Sequence, residues 1–216
     1  MLVARKRKGR DELRQKVIET AYRAFSKSGI KNVRMDDIAL SLSISKRTLY
    51  ELFQGKEQLL LDVARFRHDN VTRYMKKIIS KTENALEVIF SFYLRESDEF
   101  CGMSPIFLKE LVKYPKVLEY IHAERRKNET ISLDYFRRGV EQGLFRDDVN
   151  YEVINKILST QMDVWLYTDQ LDVYSLPEIL QETAFLFLRG ISTEKGLIIV
   201  DEFMRKLKEK PGNRIR

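Results

Sequence analysis

Cysteine is nearly missing from this 216-residue chain. Cys101 stands alone, so no intramolecular disulfide can form and no cysteine-based zinc site can assemble. A small apolar filler near a helix end is its expected role, with redox sensing as the alternative. Histidine is equally sparse: His68 and His122 are the only two. His68 adjoins Asp69, but neighbours on a helix point about 100° apart, so that pair reads as a solvated face rather than a catalytic couple. Four prolines and nine glycines leave few breaks, and no alternating Val/Ile/Thr run signals a strand. No apolar run approaches the roughly 20 residues that span a bilayer. The start, Leu2-Val3-Ala4 followed by Arg5, Lys6, Arg7 and Lys8, lacks the apolar core of a signal peptide. A cytoplasmic, all-α protein with no cofactor and no metal is the expectation. An enzyme would need a nucleophile, an acid–base pair or a metal set, and the residue inventory offers little of any.

What the chain has instead is unevenly placed positive charge. Residues 1 to 56 hold 14 Lys and Arg against 6 Asp and Glu, a net of +8, while the remaining 160 hold 25 against 26, a net of −1. A surface charged for solubility would spread that excess. Concentrated in one segment, it is the footprint of a nucleic-acid-binding module, because neutralising phosphates releases condensed counterions.

The same segment contains DDIALSLSISKRTLYELFQGK, from Asp36 to Lys56. Ile38, Ala39 and Leu42 share one helical face, Ser43-Ile44-Ser45 interrupts it, and Ser45 is a good N-cap for a second short helix. In that second helix Leu49, Leu52 and Phe53 point inward, leaving Lys46, Arg47, Thr48 and Tyr50 outward. A short helix whose first turn offers cations and a hydroxyl suits the DNA major groove. This is a helix-turn-helix. Helix 1 is expected from about Asp11 to Ser28 on a stripe of Leu13, Val17, Ala21, Ala24 and Phe25, with Gly29 as its stop. The preceding RKRKGR, Arg5 to Arg10, is either a basic N-terminal arm tracking DNA or a solubilising tail.

With Ala21, Phe25 and Gly29, then Asp37-Ile38-Ala39, Ile44-Ser45-Lys46, Thr48-Leu49-Tyr50, Phe53, Lys56-Glu57 and Leu59 in this order, the chain resembles the TetR family of bacterial transcriptional regulators over about 50 residues. The resemblance implies a three-helix DNA-binding domain at 1–54 and a larger helical effector-binding and dimerisation domain at 55–216. Three departures stand out. Val33 and Arg34 occupy positions where the family usually has hydroxyls, leaving Arg34 to bind phosphate and Asn32 to cap helix 2. Ser43 occupies the turn position of a family glycine, where φ > 0 carries a modest cost. Arg47 replaces a commonly small residue and adds a long cation to the recognition helix.

Beyond Lys56, a natural phosphate clamp at a helix N-terminus, punctuation predicts seven more helices, ten in all. They run from Gly55 to about Lys81, Glu83 to Glu99 behind a Thr82 cap, and Ser104-Pro105 to Lys113. Then come Pro115 to Gln142, Tyr151 to Tyr167, Pro177 to Ile191 and Lys195 to Lys210, with GLFRDDVN as a loop and PGNRIR frayed. The helices at 151–167 and 177–191 are apolar on more than one side and need a second partner; the resemblance implies the homodimer surface there, with deeper burial within one chain as the alternative.

The resulting expectation is a ligand-responsive repressor that binds a palindromic operator in double-stranded DNA as a dimer. Lys46, Arg47 and Thr48 are the expected groove contacts, and Arg34, Ser45, Tyr50 and Lys56 the phosphate contacts. Phe66, Tyr74, Phe90, Tyr93, Phe107, Tyr135, Met162 and Trp165 are candidates for the walls of a pocket for an unidentified apolar or amphipathic effector. The alternatives are a DNA-binding regulator or adaptor with no effector, the same aromatics forming solid core, and, less favoured, an enzyme with an aromatic pocket.

Overall fold

The structure, a computed structural model, describes residues 2–168, 171 and 173–209, apart from the side chains of residues 2–7, 162 and 208. Among these the chain forms ten α-helices: α1 Leu2–Ser28, α2 Met35–Ser41, α3 Lys46–Leu52, α4 Lys56–Ile79, α5 Ala85–Cys101, α6 Pro105–Leu111, α7 Pro115–Glu141, α8 Tyr151–Leu166, α9 Leu176–Ile191 and α10 Glu194–Glu209. Extended structure among the described residues is limited to one isolated bridge, Phe145 to Ser192. The all-α expectation holds. The expected fraying of PGNRIR falls outside the described residues.

Two compact units emerge. The first joins the chain up to Val71 with Gly102–Ala123. Its core includes Val17, Ala21 and Phe25 of α1, Ile38 and Ala39 of α2, Leu49 of α3, Phe53, and Leu59, Leu60 and Val63 of α4, all buried. Gly29 ends α1 at φ +81, a left-handed conformation that glycine adopts without steric cost. A side chain there would also collide with Ile106 of α6. Next to it, the Glu110 carboxylate of α6 accepts from the Lys31 N–H at 2.7 Å, and the Ser104 N–H donates to the Ser26 carbonyl at 2.7 Å. A buried carboxylate, Asp62 of α4, receives Arg14 of α1 at 2.5 Å and Arg65 at 3.0 Å, with Gln58 at 3.3 Å. These ties fasten α1 to α4 and α6.

Several local expectations change here. α1 begins at Leu2, so the backbone of the basic leader is helical rather than an arm; the side chains of Arg5, Lys6 and Arg7 lie outside the described residues. Asn32 does not cap α2. Its amide donates to the Ser28 carbonyl at 3.0 Å, closing α1, while Asp37 caps the start of α2 by accepting from the Arg34 N–H at 2.8 Å. The first packing unit reaches past residue 54, since α4 supplies it with Leu59, Leu60, Val63 and the buried acid Asp62.

The second unit comprises Thr72–Cys101 and the chain from Glu124 onward. Its core gathers Leu86 and Phe90 of α5, Phe136 of α7, Leu188 and Ile191 of α9 and Val200 of α10 around Leu144 and Phe145. The segment expected to be a simple loop, GLFRDDVN, thus contributes Leu144 and Phe145 to the core. It is fixed by the Arg146 N–H to the Ile191 carbonyl at 2.8 Å and the Thr193 N–H to the Leu144 carbonyl at 3.0 Å. α5 starts later than expected because Asn84, not Thr82, accepts the free N–H groups, from Leu86 at 2.9 Å and Glu87 at 3.2 Å. Thr82 sits one step upstream and accepts from the Asn84 N–H at 3.2 Å.

Candidate nucleic-acid interface

The turn between α2 and α3 is built as the sequence requires. Ser43 has φ +53, the one non-glycine residue with positive φ among those described, and the Ile44 N–H returns to the Ala39 carbonyl at 3.0 Å. Ser45 is extended and its hydroxyl accepts from the Thr48 N–H at 3.0 Å, satisfying one of the free donors at the start of α3. The Thr48 hydroxyl joins the same cap at 2.8 Å from the Ser45 Oγ. Both hydroxyls expected on DNA are therefore already engaged in starting the helix.

Burying Leu49 and Phe53 turns the opposite face of α3 to solvent, where Arg47 and Glu51 stand, with Lys46 and Tyr50 exposed beside them. Its charges are paired. Lys46 Nζ meets Asp36 of α2 at 2.5 Å, and Arg47 Nε meets Glu51 at 2.9 Å. Each bond and its Coulomb attraction raise the pKa of the cation above its ordinary value. Exposed pairs of this kind contribute little stability and exchange readily for a phosphate or a base edge. Arg34, at the N-cap of α2, makes no side-chain capping bond and is exposed, as a phosphate-seeking guanidinium requires.

Lys56 is placed differently from the clamp expected of it. Its ammonium donates to the Lys31 carbonyl at 3.4 Å and lies 5.9 Å from the centre of the Phe25 ring. Partial burial lowers its pKa, opposed by the charges of Glu110 and Asp37. Sequence reasoning also missed three groups on or beside α3: Asp36, Glu51, and Arg10, whose guanidinium donates to the Glu51 carbonyl at 3.0 Å. The i, i+4 spacing of Arg47 and Glu51 was visible in the sequence; the others depend on tertiary contacts.

The candidate effector residues are divided between the two units. Phe66 and Phe107 belong to the first unit, where Phe66 meets Tyr22 edge-on at 6.1 Å and Phe107 is buried. In the second unit Phe90 stacks on Phe203 at 3.8 Å and Tyr93 packs against Phe185 at 5.5 Å, so both serve as core. Tyr74 carries Arg95 over its ring, and Tyr135 carries Arg138. Trp165 differs: its indole N–H is buried with no hydrogen-bond acceptor among the described residues. The side chain of Met162 lies outside the described residues.

α8 presents two faces. Its inner side is tied to α7 by Arg125 to Asp163 at 2.7 Å, Lys156 to Glu129 at 3.0 Å, and the Asn155 amide to the Glu129 carbonyl at 2.9 Å. Its outer side carries Val153, Ile157, Thr160, Val164 and Tyr167 at steps of 4, 3, 4 and 3, all exposed, the spacing of a helix–helix seam. α9 is less generous. Ile179, Phe185 and Leu188 are buried, and Leu186 is its exposed large apolar side chain.

Taken together, a Ser45-capped second helix with a basic outer face, set by a tight turn against α2, defines a helix-turn-helix DNA-binding protein. The family model for bacterial regulatory proteins of the tetR family matches residues 17–63. The chain is 22% identical over 190 residues to the transcriptional repressor KstR2 of Mycolicibacterium smegmatis, covering 85% of this chain and 92% of that protein. In fold it resembles the ketosteroid transcriptional regulator KstR2 of Mycobacterium tuberculosis, with a TM-score of 0.56 at 20% identity over 84% of this chain and 95% of that one. It also resembles a gamma-butyrolactone receptor described as ArpA-like, with a TM-score of 0.60 at 14% identity over 91% and 98%. The N-terminal helices thus carry the DNA-binding region described by the tetR-family model, and the fold of the chain resembles that of such regulators.

Proposed function

We propose that the protein is a ligand-responsive repressor that binds a palindromic operator as a homodimer, with residues 1–54 reading DNA and 55–216 holding the effector and the dimer. The observation that carries this is the outward face of α3, where cations and an exposed Tyr50 lie opposite buried Leu49 in the most basic segment of the chain. Lys46 enters the groove once DNA displaces Asp36, and Arg47 enters beside it, with Thr48 next to them. Arg34, Tyr50 and the Ser45 end of α3 hold phosphates, and Lys56 adds a cation anchored on the Lys31 carbonyl.

Two recognition helices must present themselves together, so the seam on α8, aided by Leu186 of α9, supports a symmetric dimer. Effector binding would select a conformer in which the two recognition helices no longer fit successive grooves. Asp62 and Glu110 fit that route, since they tie Arg14 of α1 and the Lys31 backbone to later helices of the same compact unit. The relatives' names speak of a ketosteroid regulator and a gamma-butyrolactone receptor, which favours an apolar or amphipathic effector here too. Trp165 is the donor best placed to meet an oxygen of such a molecule. A cytoplasmic location follows from an operator as target; no helix among the described residues is long and apolar enough to cross a membrane.

Lys46→Ala with Tyr50→Ala tests the assignment. The double variant should lose operator affinity by on the order of a hundredfold while light scattering still finds the dimer; unchanged affinity removes α3 as the reading helix. Binding should also weaken steeply with salt.

A second reading, a regulator without an effector, is favoured by the close stacking of Phe90 and Tyr93 into core. Trp165 is the single tryptophan, so its fluorescence reports directly. A shift on adding a molecule that also releases DNA supports the effector reading, and release with an unmoved Trp165 signal takes Trp165 out of the site.

A further inference from the structure

On α3 each residue advances the side-chain direction by about 100°. With Leu49 taken as the inward direction, the outward normal falls between Arg47 and Glu51, each about 20° from it, while Tyr50 and Lys46 lie to one side, about 100° and about 60° from Leu49. The middle of the reading face is therefore a guanidinium–carboxylate pair, Nε to Oε1 at 2.9 Å, with side chains 89% and 59% exposed.

A carboxylate at that place is costly against a polyanion. It sits near the negative end of the α3 dipole, and it can only accept hydrogen bonds. The groove groups that compensate it are exocyclic amines; thymine O4 and guanine O6 are acceptors and repel it. Glu51 is also held in register, because Arg10 of α1 bonds its carbonyl at 3.0 Å and fixes the last turn of α3.

We propose that Glu51 is a specificity-determining residue: its carboxylate accepts from the N4 amine of a cytosine, while Arg47, aligned by the same pair, takes the O6 and N7 of a guanine. Asp36 stands in a different role, neutralising Lys46 from α2 on the flank. Glu51 thus works partly by rejection, excluding bases that present an acceptor at its position. The inference rests on α3 being the reading helix.

Selection from a pool of randomised duplexes, run with the wild-type chain and with Glu51→Ala, Glu51→Gln and Arg47→Ala, tests it. The wild-type protein is expected to enrich a two-fold site with a cytosine in each half that Glu51→Ala no longer prefers. The expected loss of preference there is about tenfold, with overall affinity equal or higher because a negative charge has gone. Glu51→Gln should move that position toward adenine, which glutamine reads, and Arg47→Ala should lose a guanine at a separate position. An unchanged motif for both Glu51 variants overturns the proposal and reduces Glu51 to an intrahelical partner of Arg47. A motif in which Glu51→Ala weakens only the guanine position overturns the cytosine contact. If the wild-type chain enriches no site, the DNA-reading assignment falls first, an outcome distinct from both.

Discussion

The outer faces of α3 and α8 are both open to solvent, and they are made on opposite principles. On α3 the exposed groups are charged, and each cation already holds a carboxylate. On α8 they are mostly apolar at seam spacing, with Thr160 among them, while Asn155, Lys156 and Asp163 engage α7 on the inner side. An ion pair at a surface is close to neutral in free energy, so a polyanion can replace one partner at little cost. An exposed apolar stripe has no such internal substitute; it is relieved only by another apolar surface. The two faces therefore call for two kinds of partner, one a salt-sensitive polyanion and the other an apolar surface, which we propose to be a second copy of the chain.

Breaking the α8 side should have the largest effect. Ile157→Glu with Val164→Glu places two carboxylates in the seam, and the protein should become monomeric by light scattering. Operator affinity should fall by on the order of a hundredfold as the two half-sites lose their linkage. A persistent dimer would move the interface elsewhere.

The α3 side rests on a buried polar anchor, and removing it should cost less. Asp62→Ala deprives Arg14, Arg65 and Gln58 of their acceptor, for about 2 kcal/mol and a fall in Tm of roughly 4–8 °C; a melting curve unmoved by the change would show the anchor to be idle. Smallest is Ser43→Gly, which relieves a left-handed residue and should add about 1 kcal/mol without altering DNA affinity. A melting curve shifted downward instead would mean that the serine side chain supports the turn.

Element existence was legible in the sequence because the chain punctuates itself plainly. Gly29 and Gly143 stop helices in left-handed conformations, Ser45, Ser104, Asn150 and Ser175 cap them, and Pro105 and Pro115 open them. Positive φ at Ser43 was implied by the resemblance, which puts a turn glycine at that position. What was not readable depends on neighbours distant in sequence. Nothing local reveals that Phe145 fills the second core, that Asp62 gathers two arginines, or that Lys56 turns toward the Lys31 carbonyl. The hydroxyls of Ser45 and Thr48 could be named as DNA contacts because chemistry permits it, yet the start of α3 claims them first. Aromatic residues at helical spacing could not be sorted into wall and core without knowing that Phe203 stacks on Phe90.

Arg10 carries a practical warning for work with this protein. Its guanidinium closes the last turn of α3 from the far end of α1, so an N-terminal deletion or affinity tag that unwinds the first turns of α1 also unlatches the reading helix. Weak DNA binding by such a protein would say nothing about whether the basic leader touches DNA. Charge-reversal within the leader, upstream of Arg10 and with the helix left intact, separates the two.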